Sequence, residues 1–455
     1  MAASATIAAP TVASRVWHPL TQASVADQTP PLRIASADGC TLVGHDGRRY
    51  LDGLSGLWCV NVGYGRRELA EVASEQMARL PYLAPVMRHE PGAELADALL
   101  DRLRMRGRVY FATSGSEANE AAFKIARQFH LQNGEPQRHV IVSRYRGYHG
   151  NTLGAMAATG QAERRLAYGP MPSGFVHVHP PYPYRRHPNL SVEEHGYEAV
   201  RWVEQTIELE GAQSVAAVVM EPIISGGGVI VPPDRYLPGI REVCDRHGVL
   251  LILDEVVSGF GRTGTMFGFE HYGVAGDLVS MAKGLASGYA PISALAVAER
   301  VFDAFRGDAA SLRHFRQINT FGSHPVSAAV ALRNLDILER EELPARAARV
   351  GDELQTALRD AVGDHPMVGE VRGKGLLIGV ELVTDRTTRA PLPNAEANAV
   401  VAAARAEGIL IGRTATTVPG HGNVLIIAPP LVVEGNEVAA IVAAVAKGIA
   451  GLRAG

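Results

Sequence analysis

Between residues 66 and 310 the sequence switches repeatedly between two hydrophobic periods, and few folds accept that. Helical patterns at 68–80, 90–103, 117–131, 193–210 and 236–247 alternate with short apolar runs at 109–112, 140–143, 215–220 and 249–253. The runs are of strand length and the patterns of helix length. A strand that is apolar on both faces must be covered on both, so this alternation predicts a mostly parallel sheet between helical layers. Ligands of such sheets settle beyond the carboxyl ends of the strands. Each run here is followed by polar or glycine-rich sequence: T-S-G-S-E-A-N-E, R-Y-R-G-Y-H-G-N, E-P-I-I-S-G-G-G and D-E-V-V-S-G-F-G-R-T-G. Several strand ends are therefore expected to converge on one site.

The flanks read differently. From 33 to 52, short strand-like pieces alternate with Asp38-Gly39 and Asp46-Gly47, which are hairpin signals. Residues 54–65 are apolar, glycine-rich and irregular, either a buried connection or, through Trp58, a pocket wall. After His324 come a helical region at 325–362, a strand pair within 369–382, a helix at 394–407, strands at 408–411 and 423–427 and a helix at 434–452. The hairpin has no core of its own and is assigned to this second α+β unit. The expected organisation is an arm and hairpin at 1–65, a large domain at 66–324 and a small domain at 325–455, which the hairpin joins. A chain of 455 residues is long enough for this.

A net charge of −3 leaves no electrostatic footprint for nucleic acid or an anionic membrane. Cys40, Cys59 and Cys244 are odd in number and far apart, which suits a reducing compartment better than a disulfide framework or a cysteine metal site. The first fifteen residues, M-A-A-S-A-T-I-A-A-P-T-V-A-S-R, lack a basic start and a sustained apolar stretch, and read as a flexible arm. No apolar run approaches the roughly 18 residues that span a bilayer. A soluble cytoplasmic protein without a metal is expected.

Among 44 lysines and arginines only Lys124, Lys283, Lys374 and Lys447 are lysine, which leaves 40 arginines. Arginine has thus been accepted wherever a solvated cation suffices. It cannot lose its proton and attack a carbonyl, whereas a partly desolvated lysine can do so and form a Schiff base. Lys124 and Lys447 lie in helical patterns and Lys374 between two glycines, all surface settings. Lys283, in M-A-K-G, follows a short apolar segment and is the best candidate for an active-site amine, although an ordinary exposed lysine is the commoner outcome of such spacing. Upstream, L-L-I-L-D-E ends a buried strand in Asp254. A carboxylate opposite a pyridine nitrogen and an amine for the imine are what pyridoxal phosphate needs. Once free of the imine, the same lysine serves as general base and acid.

Three further groups carry chemistry. Ser114, Gly115 and Ser116, between strand and helix, offer free N–H groups and the positive end of a helix to an anion, or else a plain serine cap. Tyr148-His149-Gly150 offers a stacking surface or an ordinary buried tyrosine. Arg413, in I-L-I-G-R-T, is a candidate fork for a planar anion.

The ordered set G-L-W-C-V-N-V-G-Y-G, S-G-S-E-A-N-E, Y-H-G, E-P-I-x-x-G-G-G-V, L-D-E-V-x-x-G-F-G-R-T-G, A-K-G and N-T-F-G-S-H-P resembles the class III pyridoxal-phosphate aminotransferases over nearly all of the chain after residue 15. It is most similar to their pyruvate-dependent omega-transaminase group. The resemblance implies fold type I, the aspartate-aminotransferase-like α/β architecture, and a homodimer, or a tetramer, with active sites at the interface. It implies that Lys283 is the Schiff-base lysine and Asp254 the partner of the pyridine nitrogen. Val256 and Tyr148 take the two ring faces, with His149 beside the cofactor. Ser114, Gly115 and Ser116 form the phosphate cup, and Glu221 is the acid near the ring. Thr320 reaches the phosphate of the neighbouring subunit's cofactor. Leu20, Trp58 and Tyr148 line the small substrate pocket, and Arg413 is a mobile arginine that pairs with the carboxylate of pyruvate or alanine.

The stretch T-A-T-T-V-P-G-H-G-N after Arg413 is longer than in the amine-transaminase branch and is more like the taurine:pyruvate aminotransferase branch, as are N-T-F-G-S-H-P and R-G-K-G-L-L-I-G-V-E-L. Leu20 stands where many amine transaminases carry phenylalanine. The reading is a ping-pong transfer of an amino group from a small amine or ω-amino acid, taurine favoured, to pyruvate. The alternative is a broad amine or β-alanine:pyruvate transaminase. A fold type I decarboxylase or mutase, or a cofactor-free scaffold, stand further off.

Overall fold

The structure, a computed structural model, describes residues 15–28 and 31–452, so the arm read from residues 1–14 lies outside it. Near the N-terminus β1 (Ile34–Asp38), β2 (Thr41–Gly44) and β3 (Arg49–Asp52) form an antiparallel meander. Its turns fall at the two Asp-Gly signals. Gly39 and Gly47 have φ of +53° and +80°, where a side chain is disfavoured.

The central sheet holds β4 (Gly107–Ala112), β5 (Val140–Arg144), β6 (Phe175–Val178), β7 (Val215–Met220), β8 (Leu250–Asp254), β9 (Leu278–Met281) and β10 (Ser293–Ala298). Their order is β4-β10-β9-β8-β7-β5-β6, and β10 alone runs antiparallel. Every residue of β5, β7 and β8 is buried, which is why these strands are legible as continuous apolar runs. The sequence reading omits β6, β9 and β10. The first two are four-residue strands interrupted by His177 or Ser280, and S-A-L-A-V-A in β10 is alanine-rich and reads equally well as helix. Five helices, Arg67–Arg79, Glu90–Leu103, Gly115–Gln132, Val192–Leu209 and Tyr236–His247, lie within two residues of their sequence positions.

The region at 325–362 is two helices, Pro325–Arg340 and Leu343–Val362, with Glu342 at φ +49° between them. Pro344 enforces the break, because proline is tolerated in a helix's first turn but not in its interior. The hairpin β11 (Val368–Lys374) and β12 (Leu377–Asp385) follows, with the short β13 (Ala390–Pro391) on its edge. The strand expected at 408–411 is split. β14 (Ile409–Leu410) pairs in parallel with β3, while β15 (Gly412–Arg413) pairs antiparallel with β16 (Val424–Ile427). The chain changes sheets at Ile411, and this ties the N-terminal meander to the C-terminal segment. One apolar cluster runs from Leu251 and Met281 of the central sheet to Ile378 and Ile441. Among the described residues no helix is long and apolar enough to cross a membrane.

Candidate active site

β9, β8 and β7 are neighbours, and just beyond or at their carboxyl ends stand Lys283, Asp254 and Glu221. Adjacent strands lie about 4.8 Å apart, so this topology alone gathers an amine and two carboxylates.

Asp254 is almost fully buried, and a buried anion requires donors. Its Oδ2 accepts from Asn119 Nδ2 at 2.8 Å and pairs with His149 Nδ1 at 2.8 Å, while Oδ1 accepts from the Val256 N–H at 3.1 Å. Asn119 also donates to the His149 carbonyl at 2.7 Å, which fixes the imidazole against the acid.

Lys283 opens the turn after β9 with φ of +46°, a left-handed conformation that costs a non-glycine residue on the order of 1 kcal/mol. The turn is held from outside. Asn334 Nδ2, fully buried on the helix Pro325–Arg340, donates to the carbonyls of Gly284 and Leu285 at 2.8 and 2.9 Å. Gly284 is required there, since a Cβ would meet Asn61 Nδ2 at 2.5 Å. Burial pulls the Lys283 amine below the ordinary lysine range, opposed by the charge of Asp254. Its Nζ lies 6.0 Å from the centroid of Trp58. Lys124, Lys374 and Lys447 are exposed, and Lys447 pairs with Glu407.

Trp58 sits on a contorted loop in which Ser55, Gly56 and Trp58 all have positive φ. The buried carboxylate of Asp52 stabilises it by accepting from the N–H groups of Leu54 and Gly56 at 2.9 and 2.6 Å. Glu221 accepts from the N–H of Tyr148 at 3.1 Å and of Ser225 at 3.0 Å. Burial pushes its carboxyl up, with the nearby His149 opposing.

At the start of the helix Gly115–Gln132, Ser114 is the N-cap. It accepts from the Glu117 N–H at 3.3 Å, and the Glu117 carboxylate accepts in return from the N–H of Ser114 at 3.1 Å and of Thr113 at 2.7 Å. The Ser114 hydroxyl therefore serves the plain cap that the sequence also allowed. Ser116 Oγ donates to Asn151 Oδ1 at 2.9 Å and accepts from its N–H at 3.1 Å. The N–H groups of Gly115 and Ser116 stand in the first helical turn, where no intrahelical acceptor exists. A Cβ on Gly115 would meet Val256 Cγ2 at 2.9 Å, and one on Gly150 would meet Ser116 Oγ at 2.6 Å. The two glycines thus leave a cradle that any side chain would fill.

Arg413 reaches the same space from β15. Its guanidinium donates to Asn398 Oδ1 at 2.6 Å, Asn394 Oδ1 at 3.3 Å and the Gly422 carbonyl at 2.7 Å, all neutral acceptors.

All the residues singled out in the sequence except Thr320 line one cavity of about 560 Å³. Leu20 does so while largely exposed. Thr320 is exposed outside the cavity, and its carbonyl accepts from Tyr82 Oη at 3.1 Å. A larger hollow of about 720 Å³ lies at the amino ends of β8 and β9, but its Arg241 and Arg300 are already bonded to Asp277. Three residues of the site region escape the sequence reading of single positions: Asn119, Asn334 and Arg164. Asn119 and Asn334 carry one signal, a poor helix former inside a helix.

The profile of the aminotransferase class-III family matches residues 22–449. The chain is 48% identical over 427 residues to an uncharacterized aminotransferase of Bacillus subtilis, covering 94% of this chain and 93% of that one. It is 43% identical over 437 residues to a taurine–pyruvate aminotransferase of Rhodobacter capsulatus, covering 95% of each. Its structure superimposes on that of a Bacillus anthracis aminotransferase with a TM-score of 0.93 at 46% identity, covering 96% of each chain. The chain belongs to the class-III aminotransferases. These are fold type I enzymes that use pyridoxal phosphate, and the buried Asp254, the recessed amine of Lys283 and the glycine cradle at a helix start suit that cofactor.

Proposed function

We propose that this chain transfers an amino group from a small ω-amino acid or amine, taurine favoured, to pyruvate, by a ping-pong mechanism in a homodimer. What carries the substrate reading is Arg413: it enters the cavity held only by neutral acceptors, so its charge is left for an anionic substrate group. The taurine–pyruvate aminotransferase of Rhodobacter capsulatus, similar over 95% of both chains, supports that choice. A broad amine or β-alanine:pyruvate transaminase is the second reading, favoured by the exposure of Leu20 at the cavity mouth, which leaves room for other donors.

Pyridoxal phosphate, when bound, supplies an electron sink for the substrate carbon that carries nitrogen. In this reading Asp254, braced by Asn119 and His149, keeps the ring nitrogen protonated. Val256 and Tyr148 would enclose the ring, with Glu221 ordering the backbone of Tyr148, and the free N–H groups of Gly115 and Ser116, in the turn that Ser114 caps, would receive the phosphate. Lys283 takes the proton from the α-carbon and returns it as general base and acid. Lowering of its basicity by burial suits that role. Trp58 and Leu20 bound the small substrate pocket, and Arg413 takes the carboxylate of pyruvate. Thr320 reaches the neighbouring subunit's phosphate site. In support, it sits beside exposed Ile318 and Phe321, with exposed Tyr82 against Phe321, an apolar surface fit for a subunit partner.

The test is a donor panel of taurine, β-alanine, γ-aminobutyrate, 1-phenylethylamine and putrescine with pyruvate, read by alanine formation. Alanine from taurine or β-alanine is expected. No alanine from any donor, or carbon dioxide released in its place, refutes the proposal.

A further inference from the structure

A second cation faces the cavity with nothing to bind. Arg164 lies on the short helix Ala162–Arg165, lines the cavity and is half-buried. Among the described residues its guanidinium has no hydrogen bond and no ion pair, and its Nε is buried without an acceptor. It lies over Tyr148, where Cζ stands 5.7 Å from the ring centroid. Stacking engages the face of a guanidinium and leaves its donor edge free. Buried arginines with a structural role look different here. Arg262, for example, donates to Leu376 O, Pro429 O, Ser55 Oγ and Asn61 Oδ1.

The position of Arg164 is built. The Glu163 N–H donates to the Thr417 carbonyl at 3.0 Å, and Gln161 Nε2 donates to the Arg146 carbonyl at 3.0 Å. Thr417 belongs to T-A-T-T-V-P-G-H-G-N, the stretch that follows Arg413. That stretch thus seats the short helix carrying Arg164 and also provides Gly422, whose carbonyl holds Arg413. A Cβ at Gly422 would meet Arg413 Nη1 at 2.4 Å.

We propose that Arg164 is the subsite for the acidic end of an ω-amino acid donor, a sulfonate or carboxylate one carbon beyond the reacting carbon, while Arg413 takes the carboxylate borne on the reacting carbon of pyruvate or alanine. The two substrates of one ping-pong cycle carry their anions at different distances from the same carbon. A single arginine held by three acceptors meets one of those distances, and two arginines from different elements meet both. This division rests on the transaminase reading above.

The test uses the cofactor-loaded enzyme and its R164Q and R164K variants. Because one charge-assisted hydrogen bond is lost, the ratio of KM for taurine or β-alanine to KM for 1-phenylethylamine should rise about tenfold or more in R164Q, with no matching rise in KM for pyruvate. An unchanged ratio, or an equal rise for pyruvate, overturns the proposal. Ethanesulfonate, which has no amine, supplies a readout independent of turnover: its inhibition constant against 1-phenylethylamine should weaken similarly in R164Q. If the wild type makes no alanine from acidic donors, the donor reading fails, and the ethanesulfonate constant still decides the subsite. If R164Q does not load cofactor, R164K decides, since it keeps the charge and loses the planar fork: a shifted ratio supports the subsite and a wild-type ratio overturns it.

Discussion

Gly115 and Val256 approach each other so closely that the cradle can be tested by adding one methyl group. In Gly115→Ala the new Cβ would stand 2.9 Å from Val256 Cγ2 and 3.0 Å from Cγ1. Carbon pairs settle at about 3.5–4.0 Å, so roughly 0.5–1 Å must open between them. Gly115 does not have a positive φ, and it occupies the first turn of a helix, so alanine leaves the backbone unstrained and favours the helix by up to about 1 kcal/mol. That gain offsets part of what the clash costs the fold. The remaining cost falls on the cavity, which Gly115 and Val256 both line. Overpacking of this size costs about 1–3 kcal/mol, or about 5–150-fold in cofactor affinity. Equilibrium titration of the cofactor-free protein with pyridoxal phosphate measures it. Val256→Ala removes both clashing atoms, so the double variant should lose clearly less than the sum of the single losses. Single losses that add within about 0.5 kcal/mol, or unchanged affinity in Gly115→Ala, would refute the shared cradle.

Lys283→Ala should abolish transamination yet retain noncovalent cofactor binding, measured by alanine formation and by titration, and substantial turnover contradicts the lysine assignment. Asn119→Ala removes one charge-assisted bond from Asp254, so cofactor affinity should fall about tenfold. Asn119→Asp, which places a second carboxylate against Asp254, should cost more, and the reverse ranking would be inconsistent with a buried anion at Asp254. Glu255 is fully buried and accepts from Ser258 Oγ and the N–H groups of Gly268 and Phe269, and burial raises its carboxyl from 4.5 to about 7. The folded state thus holds this proton more tightly than the unfolded state. The stabilisation, about 3 kcal/mol, is full below the unfolded value and is lost as pH rises through about 7. In Glu255→Gln the unfolding midpoint should fall less between pH 5 and 8 than in the wild type, and equal slopes would exclude this origin.

Much of the fold was legible because the buried strands β5, β7 and β8 write their environment into their composition. The direction of β10 was not legible, since alternation reports burial and not the polarity of an edge strand's neighbour. In the site, Asp254 and Lys283 could be picked out by chemistry, one as an acid ending an apolar run and the other as a rare amine among arginines. Asn119 and Asn334 act through partners far away in sequence, Asp254 and the turn after Lys283, so no local pattern announces them. Arg164 is one of 40 arginines, and only its lack of partners sets it apart, a property that exists only after folding.

The distribution of amines has a practical side. Lys124, Lys374 and Lys447 are exposed and none lines the cavity, whereas Lys283 is recessed within it. Coupling to an amine-reactive support would thus anchor the chain through three internal tethers at most, none of them on a residue that lines the cavity. Reductive trapping of a carbonyl compound inside the cavity would mark a single peptide, M-A-K-G, which peptide mapping would tell apart from the other three.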